Sequence, residues 1–248
     1  MKTVWQEEFY IKSYEVDYKN RLKITQLFNY MQEIAGIHAH HLHWGYNDLI
    51  KDNLIWVLSK VKVNLNEYPG WGSSIKIETW PKGVYRLYAT RDFIFKNDKD
   101  EQIGAGTTVW LLLDSNTMRP QKVESLQTLF PENIEKHGLN ETLQKIEFTG
   151  EYKASFDRVV TYNDIDINNH VNNAKYVDWI LDCFNVGFLA GRQVKNLQIN
   201  YLSAAKPDEQ ISVKMGNDTQ NTDFFYFEGM NKITGSLVFQ SKLELNTI

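Results

Sequence analysis

The order of hydrophobic periods in this chain of 248 residues occurs twice. In each half a strand-like stretch leads into one long helical period, at residues 24–42 and 170–189, and four strand-like runs follow it. Apolar residues three or four apart are typical of an amphipathic helix, and strict alternation is typical of a strand. A pattern repeated in this order predicts two copies of one structural unit.

A shift of about 149 positions superimposes the two copies. It lays Asp17 on Asp166 and Leu22 on Val171, and the helical periods then coincide. We therefore expect each copy to pack one helix on a face of a twisted antiparallel sheet.

The predicted fold class is α+β with two tandem domains. We place these domains at 1–125 and 151–248, joined by a polar connector at 126–150 with room for one short helix. Most apolar surface would be buried if the two sheets paired edge to edge as an internal pseudo-dimer.

An unusually polar stretch, DINNHVNN at 166–173, stands directly before the second helical period. Asparagines at such a place either cap and turn the chain or supply hydrogen bonds to chemistry. Residues two apart alternate sides in an extended segment, so Asp166, Asn168 and His170 can project toward one pocket. A helix beginning near His170 would aim its free N–H groups and positive dipole end at that pocket.

The first copy lacks the equivalent polar set. Asp17 keeps the acid, but Asn168 falls on Lys19 and His170 falls on Arg21. A repeat that retains the set in one copy predicts one active site, in the second half, and a modified first half.

Several long segments, taken in order, resemble one enzyme family. The segment DINNHVNNAKYVDWIL is similar to the signature D-x-N-x-H-V-N-N-x-K-Y-x-x-W-I-L of the plant plastid acyl-ACP thioesterases, which also have bacterial relatives. In the first half, NLIWVLSKVKVNLNEYPGWGSSIKIETW resembles the N-L-I-W-V, Y-P-x-W-G and T-W stretches of that family. TRDFIF and TTVWLLLDSNTMRPQK resemble two further stretches, so the similarity runs through both halves.

This resemblance implies two tandem hot-dog domains and a thioester hydrolase. The substrate would be a fatty acyl chain on the phosphopantetheine arm of acyl carrier protein, and its release as free acid would end chain elongation. The catalytic Asp, Asn and His of the family map onto Asp166, Asn168 and His170, and the first domain would shape the acyl pocket.

We expect His170, oriented by Asp166, to act as general base on water, while Asn168 holds the water or the thioester carbonyl. Attack by the Asp166 carboxylate itself, through an anhydride, is the competing route.

One departure from the family lies after the strand that follows the motif helix. The family carries a Glu-Cys pair there, whereas QINYLSAAKPDE puts Ala204 and Ala205 at those positions. Neither alanine can take a proton. The site would then work with its three polar residues and water, or recruit Asp208 or Glu209.

Other conspicuous residues are interpreted as structural. Asn172 and Asn173 are expected to support the catalytic side chains, and Cys183 is expected to pack in the core. The histidines of HAHHLH at 38–43 lack the spacing of a metal site, so we assign them to a partly solvated helix end or a wall of the acyl pocket. Four tryptophans are assigned to the core and the sheet faces: Trp56, Trp71, Trp80 and Trp110.

Charge and composition limit the classes of molecule that the chain is expected to bind. The net charge of −4 comes without a basic block, which argues against nucleic acid. No run approaches the roughly 18 apolar residues of a membrane span, and a single cysteine fits the reducing cytoplasm. We expect no metal and no cofactor, and the sequence leaves a homodimer open. An acidic carrier protein would need a basic patch, for which the nearby candidates are Arg158, Lys175, Arg192, Lys195 and Lys206.

Two alternative functions fit the same residues. An acyl-CoA thioesterase or a hot-dog hydratase would keep the fold and change the carrier or the reaction. A non-catalytic module that binds acyl thioesters stays open because of the two alanines, although the intact Asp166, Asn168 and His170 argue against it.

Overall fold

Two compact units make up the computed structural model. They comprise Met1–Leu143 and Gln144–Ile248, and the structure describes residues 3–123, 133, 135–218 and 220–248. Within these described ranges, no helix has the length and apolar character needed to cross a membrane.

The first unit combines one long helix with a five-stranded antiparallel sheet of order β1-β3-β4-β5-β2. Its elements are β1 (Trp5–Tyr10), α1 (Ile24–His41), α2 (Tyr46–Leu49), β2 (Leu54–Leu65), β3 (Ser74–Tyr85), β4 (Tyr88–Lys96) and β5 (Gln102–Asp114).

The helix α1 follows the predicted period closely. Its apolar residues at spacings of three and four, including Leu27, Met31 and Ile34, are all buried, and the helix lies against β1 and β3. Burial of such a stripe contributes about 1.5–3 kcal/mol per large apolar side chain, so packing rather than capping stabilises the helix.

A polar network also lies inside the first unit. Asp92 on β4 is fully buried, and its carboxylate pairs with Lys82 at 2.9 Å and accepts hydrogen bonds from Thr107 Oγ1 at 2.7 Å and Gly138 N at 2.8 Å. Every oxygen of the carboxylate therefore has a partner, which a buried charge requires.

The histidine cluster divides between core and surface. His38 is fully buried, and its Nδ1 lies 3.0 Å from Nη1 of Arg91. Burial lowers the pKa of Arg91 to about 10. His40, His41 and His43 are exposed at the end of α1. In the part of the chain that the structure describes, no group of His, Cys, Asp and Glu has the geometry of a metal site.

The second unit repeats the same sheet with shorter helices. Its strand order is β6-β8-β9-β10-β7, which is the order of the first unit with each strand advanced by five labels. The elements are β6 (Ala154–Val159), α3 (Lys175–Leu181), α4 (Val186–Ala190), β7 (Arg192–Tyr201), β8 (Gln210–Asn217), β9 (Phe224–Asn231) and β10 (Leu237–Thr247). The predicted class is confirmed: the chain forms two tandem hot-dog domains.

The prediction of a single helix at 170–189 is wrong, because the structure has two short helices there. Helix α3 begins only at Lys175, and the chain leaves it before Asn185, where the backbone is extended. The Asn185 side chain then accepts a hydrogen bond from Phe188 N at 2.7 Å and starts α4. Apolar spacing continues across this break, but an asparagine that caps a new helix favours a turn over a continuous one.

The connector predicted at 126–150 lies in part outside the described residues, at 126–132 and 134. None of its other residues is helical, and the two compact units meet between Leu143 and Gln144.

The tryptophan predictions have mixed outcomes. Trp80 is fully buried, and Trp56 and Trp110 are half-buried against the cluster of Leu49, Ala89, Leu112 and Val123. Trp71 is wrong as a core residue, because it lies in a turn and is 62% exposed.

Candidate active site

The stretch that carries Asp166, Asn168 and His170 forms a tight turn rather than the extended loop that was expected. Ile165 and Val171 pair as an antiparallel bridge, and Asp166 N donates to His170 O at 2.8 Å. Asn169 closes the turn in the left-handed region, with φ of 59°, which asparagine tolerates better than most residues.

The turn brings the side chains of Asp166 and Asn168 together. One carboxylate oxygen of Asp166 accepts the Asn168 backbone N–H at 2.8 Å, and the other lies 3.4 Å from Asn168 Nδ2. Asn168 is exposed and Asp166 is half-buried. The pair can therefore be reached by water and by a substrate.

The ring of His170 is half-buried at the other end of the turn. Among the described residues, no hydrogen bond reaches this ring, so the expected contact between the Asp166 carboxylate and the His170 imidazole is not made. Its nitrogens are available to a water or a substrate. Catalytic hydrogen bonds are often long in the absence of substrate and tighten when it binds.

The helix does not begin at His170, so its N-terminus cannot serve the pocket as expected. Asn172 Oδ1 accepts the Ala174 N–H at 2.9 Å, and Asn172 N donates to Asp164 O at 2.8 Å. The carbonyl of Asn173 accepts the Tyr201 hydroxyl at 2.9 Å. Asn172 and Asn173 thus fix the end of the turn and the start of α3, and these hydrogen bonds do not reach the side chains predicted to be catalytic.

The first unit contains the same turn without the same chemistry. Val16 and Leu22 form the equivalent bridge, Asp17 N donates to Arg21 O at 2.8 Å, and Asn20 has φ of 59°. Here Arg21, the counterpart of His170, binds the Asp17 carboxylate through Nε at 2.8 Å and Nη2 at 2.7 Å. The acid is occupied by an ion pair and cannot assist a reaction.

This ion pair predicts a pH-dependent contribution to stability. Burial raises the pKa of Asp17, but hydrogen bonds from Arg21 and Lys19 outweigh it and the net shift is downward. The ionised carboxylate therefore stabilises the fold above its ordinary pKa, and the contribution is lost as pH falls through the lowered value. Because the pair is partly exposed and screened by solvent, we expect Asp17→Asn to reduce the free energy of unfolding by about 0.3–1 kcal/mol at neutral pH. The reduction should become progressively smaller as the pH falls below the ordinary pKa of aspartate.

Chemical unfolding at a series of pH values tests this, with Asp166→Asn as the matched control, since Asp166 lacks an arginine partner within the described residues. A loss for Asp17→Asn that is the same at every pH would contradict the ion-pair origin.

Ala204 and Ala205 lie beside the turn. Ala205 is fully buried and its carbonyl accepts the Val171 N–H at 3.0 Å, whereas Ala204 is exposed. Of the two acids that could substitute for the Glu-Cys pair, Glu209 is half-buried and accepts the Lys206 N–H at 2.9 Å, and Asp208 is exposed.

The cations predicted to dock a carrier are largely paired within their own unit. Arg158 binds Asp182 at 3.1 Å, Lys195 binds Glu244 at 2.9 Å, and Lys175 lies 3.8 Å from Asp178. Arg192 stacks on the Phe188 ring at 4.0 Å. Lys206 is exposed and makes no ion pair with a described residue.

Cys183 is a core residue and no nucleophile. It is 6% exposed, its Sγ donates to Trp179 O at 3.3 Å, and burial raises its pKa to about 12. A thiol in such a site is protonated at neutral pH and unreactive.

Comparison with known proteins matches both halves of the chain. The acyl-ACP thioesterase N-terminal domain matches residues 2–126, and the C-terminal domain of the same family matches residues 150–246. Among curated proteins, the oleoyl-acyl carrier protein thioesterase 2 of Arabidopsis thaliana is 26% identical over 94% of this chain and 66% of its own length. The chain spans about half to two thirds of the length of the curated relatives it matches.

Solved structures agree with these matches. An acyl-ACP thioesterase from Bacteroides thetaiotaomicron superimposes with a TM-score of 0.88 and 26% identity, over 98% of each chain. The 12:0-ACP thioesterase from Umbellularia californica, at 22% identity, covers 100% of this chain and 99% of its own with a TM-score of 0.85, which shows the shared fold. With both of its domains matched in order, the chain belongs to the acyl-ACP thioesterase family.

Proposed function

We propose that the chain hydrolyses fatty acyl-[acyl carrier protein] to free fatty acid and carrier protein, and so ends chain elongation in fatty acid synthesis. The observation that carries this proposal is the asymmetry of the duplicated turn. In the second unit, the Asp166 carboxylate forms no ion pair with an arginine among the described residues. The same turn contains His170, whose ring forms no hydrogen bond with a described residue. In the first unit, by contrast, Asp17 forms an ion pair with Arg21.

The proposed reaction uses water as the nucleophile. His170 takes a proton from water as the water oxygen bonds to the acyl carbon, and the protonated ring then gives its proton to the thiolate as the C–S bond breaks. The Asp166 carboxylate favours the positive charge that develops on the ring. Asn168 has a second amide proton beyond the one directed at Asp166, and this proton can hold the thioester carbonyl as negative charge develops on its oxygen.

The alanines at 204 and 205 cannot exchange protons, which limits the residues that can act as acid or base in the reaction. No acid or thiol stands at these positions, so His170 must both accept and return the proton unless Glu209 contributes. The competing route, in which the Asp166 carboxylate attacks the acyl carbon, needs no histidine base for its first step. The two routes can be distinguished by whether the oxygen atom of water is found only in the released fatty acid or also in the Asp166 carboxylate.

An acyl carrier protein is the proposed partner, in the cytoplasm. Carrier proteins are acidic, and Lys206 near the turn is the docking candidate least occupied by acids of its own unit. We expect added salt to lower kcat/KM for a carrier-linked acyl chain by about 10-fold between low and high ionic strength, because screening weakens attraction between charged surfaces. The same acyl chain on CoA is the control, and an equal salt effect on both substrates would contradict carrier docking by charge.

A panel of matched acyl-ACP and acyl-CoA substrates tests the function. Free acid measured by mass spectrometry should appear from the carrier-linked series. Release from CoA alone would favour an acyl-CoA thioesterase, and water added across a double bond without acid release would favour a hydratase. No acid above the buffer level from any substrate would leave a binding module.

A further inference from the structure

Tyr176 on α3 is buried in an aromatic cluster beside the proposed active site. It is 2% exposed, and its ring lies edge-on to Tyr201 at 5.3 Å and Phe239 at 5.2 Å and tilted against Trp179 at 5.0 Å. These ring contacts explain the burial of the ring. They do not explain the hydroxyl, because phenylalanine would pack equally well and a buried hydroxyl is unfavourable unless it is hydrogen-bonded.

The hydroxyl of Tyr176 contacts Ala205, a residue whose backbone also supports the proposed catalytic turn. Ala205 N donates to Tyr176 Oη at 3.4 Å, and the carbonyl of Ala205 accepts Val171 N at 3.0 Å. Val171 follows His170 directly, and the His170 carbonyl accepts Asp166 N at 2.8 Å. Hydrogen bonds made by the backbone N–H and C=O of Ala205 thus connect the tyrosine to the turn that carries both proposed catalytic residues.

The buried hydroxyl of Tyr176 stays uncharged. Among the described residues its proton has no acceptor, although the oxygen accepts the Ala205 N–H. Burial raises the pKa of Tyr176 well above its ordinary value, and the carboxylates of Glu209 and Asp166 raise it further. The hydroxyl therefore stays protonated at any working pH, and its uncharged oxygen accepts the Ala205 N–H.

We propose that Tyr176 is a positioning residue, whose hydroxyl fixes the backbone of Ala205 and, through that residue, the turn that presents His170. Ala204 and Ala205 carry no polar side chain, and the tyrosine hydroxyl forms a side-chain hydrogen bond to the backbone of this segment. This inference rests on the proposed thioester hydrolysis.

The test is Tyr176→Phe, which keeps the ring and removes the oxygen. We expect kcat for an acyl-ACP substrate to fall by about 10-fold to 100-fold with KM unchanged, because a small displacement of a catalytic group is sufficient for such a loss. The acidic limb of the pH–rate profile should also move, since it reports the protonation of the base that the turn presents.

The matched control is Tyr30→Phe in the first unit. The Tyr30 hydroxyl is also buried and donates to Glu15 Oε2 at 2.7 Å, so both variants lose one buried hydrogen bond. Each should lower the melting temperature by about 2–8 °C, but Tyr30→Phe should keep the kcat and the pH–rate profile of the wild type.

Amide exchange gives a second readout that does not depend on turnover. In Tyr176→Phe the amide protons of Ala205 and Val171 should exchange faster, while those of β9 keep their wild-type rates. Wild-type kcat and an unmoved pH–rate profile in Tyr176→Phe would overturn the positioning role. A wild-type protein that releases no acid would instead refute the proposed function, and unchanged exchange at Val171 would overturn the hydrogen-bonded connection by itself.

Discussion

Replacing His170 by alanine is expected to lower kcat for acyl-ACP hydrolysis by about 10²–10⁴, which is the usual contribution of a positioned general base. The ring is half-buried, and no described residue forms a hydrogen bond with it, so it can be removed without leaving a buried group unpaired. Stability and KM should therefore change little. Release of free acid at saturating substrate, beside a thermal unfolding curve, measures both effects.

The internal repeat supplies the matched control for this variant. Arg21→Ala truncates the residue at the same place in the first copy of the turn, where it binds Asp17 at 2.7 Å. We expect this change to lower stability and to leave kcat within about two-fold, because the first copy has no base to lose. Loss of activity in Arg21→Ala with none in His170→Ala would contradict the proposal, because it would place the reaction in the first unit.

The architecture could be predicted from the sequence because strand-like runs separated by turn residues follow a helical period, and this order occurs twice. The run LIWVLSKVKVNL at 54–65 is the strand β2, Leu54–Leu65, and the last run, at 236–245, lies almost wholly within β10, Leu237–Thr247. In a sheet with one buried face, a shift of one residue would turn the apolar side outward, so the pattern fixes both the strand and its orientation.

The details of the turn were beyond the sequence pattern for a physical reason. Alternation of Asp166, Asn168 and His170 assumes an extended backbone, but Asn169 adopts a left-handed conformation and reverses the chain. The first copy carries asparagine at the equivalent position, Asn20, and two asparagines in register were the available signal for a turn. Spacing alone places residue types near one another and does not say which side chains bond.

Long-range contacts account for the other differences. Lys195 lies near the proposed site in sequence, but its partner Glu244 is on β10, a strand that pairs with its own. The contribution of Tyr176 depends on Ala205, which comes 29 residues later in the chain. Contacts between residues so far apart in the chain depend on how the strands pair, and the charge or polarity of neighbouring residues in the sequence does not reveal them.

Replacing Asp166 by asparagine is expected to lower kcat by about 10²-fold or more while the turn persists. The amide oxygen of the new side chain can still accept the Asn168 N–H that the carboxylate accepts at 2.8 Å, so the backbone should keep its shape. What is lost is the negative charge that favours the protonated His170 ring. Far-UV circular dichroism and thermal unfolding should match the wild type while acid release falls.

The size of that loss cannot by itself separate the two possible roles of Asp166, because a carboxylate nucleophile would also be removed by the substitution. Single turnover of the wild type in water enriched in ¹⁸O separates them. If water attacks the acyl carbon directly, as proposed, the label enters the released fatty acid and the Asp166 side chain stays unlabelled. Label recovered in the Asp166 carboxylate would require an anhydride and would assign the attack to Asp166 instead of to water activated by His170.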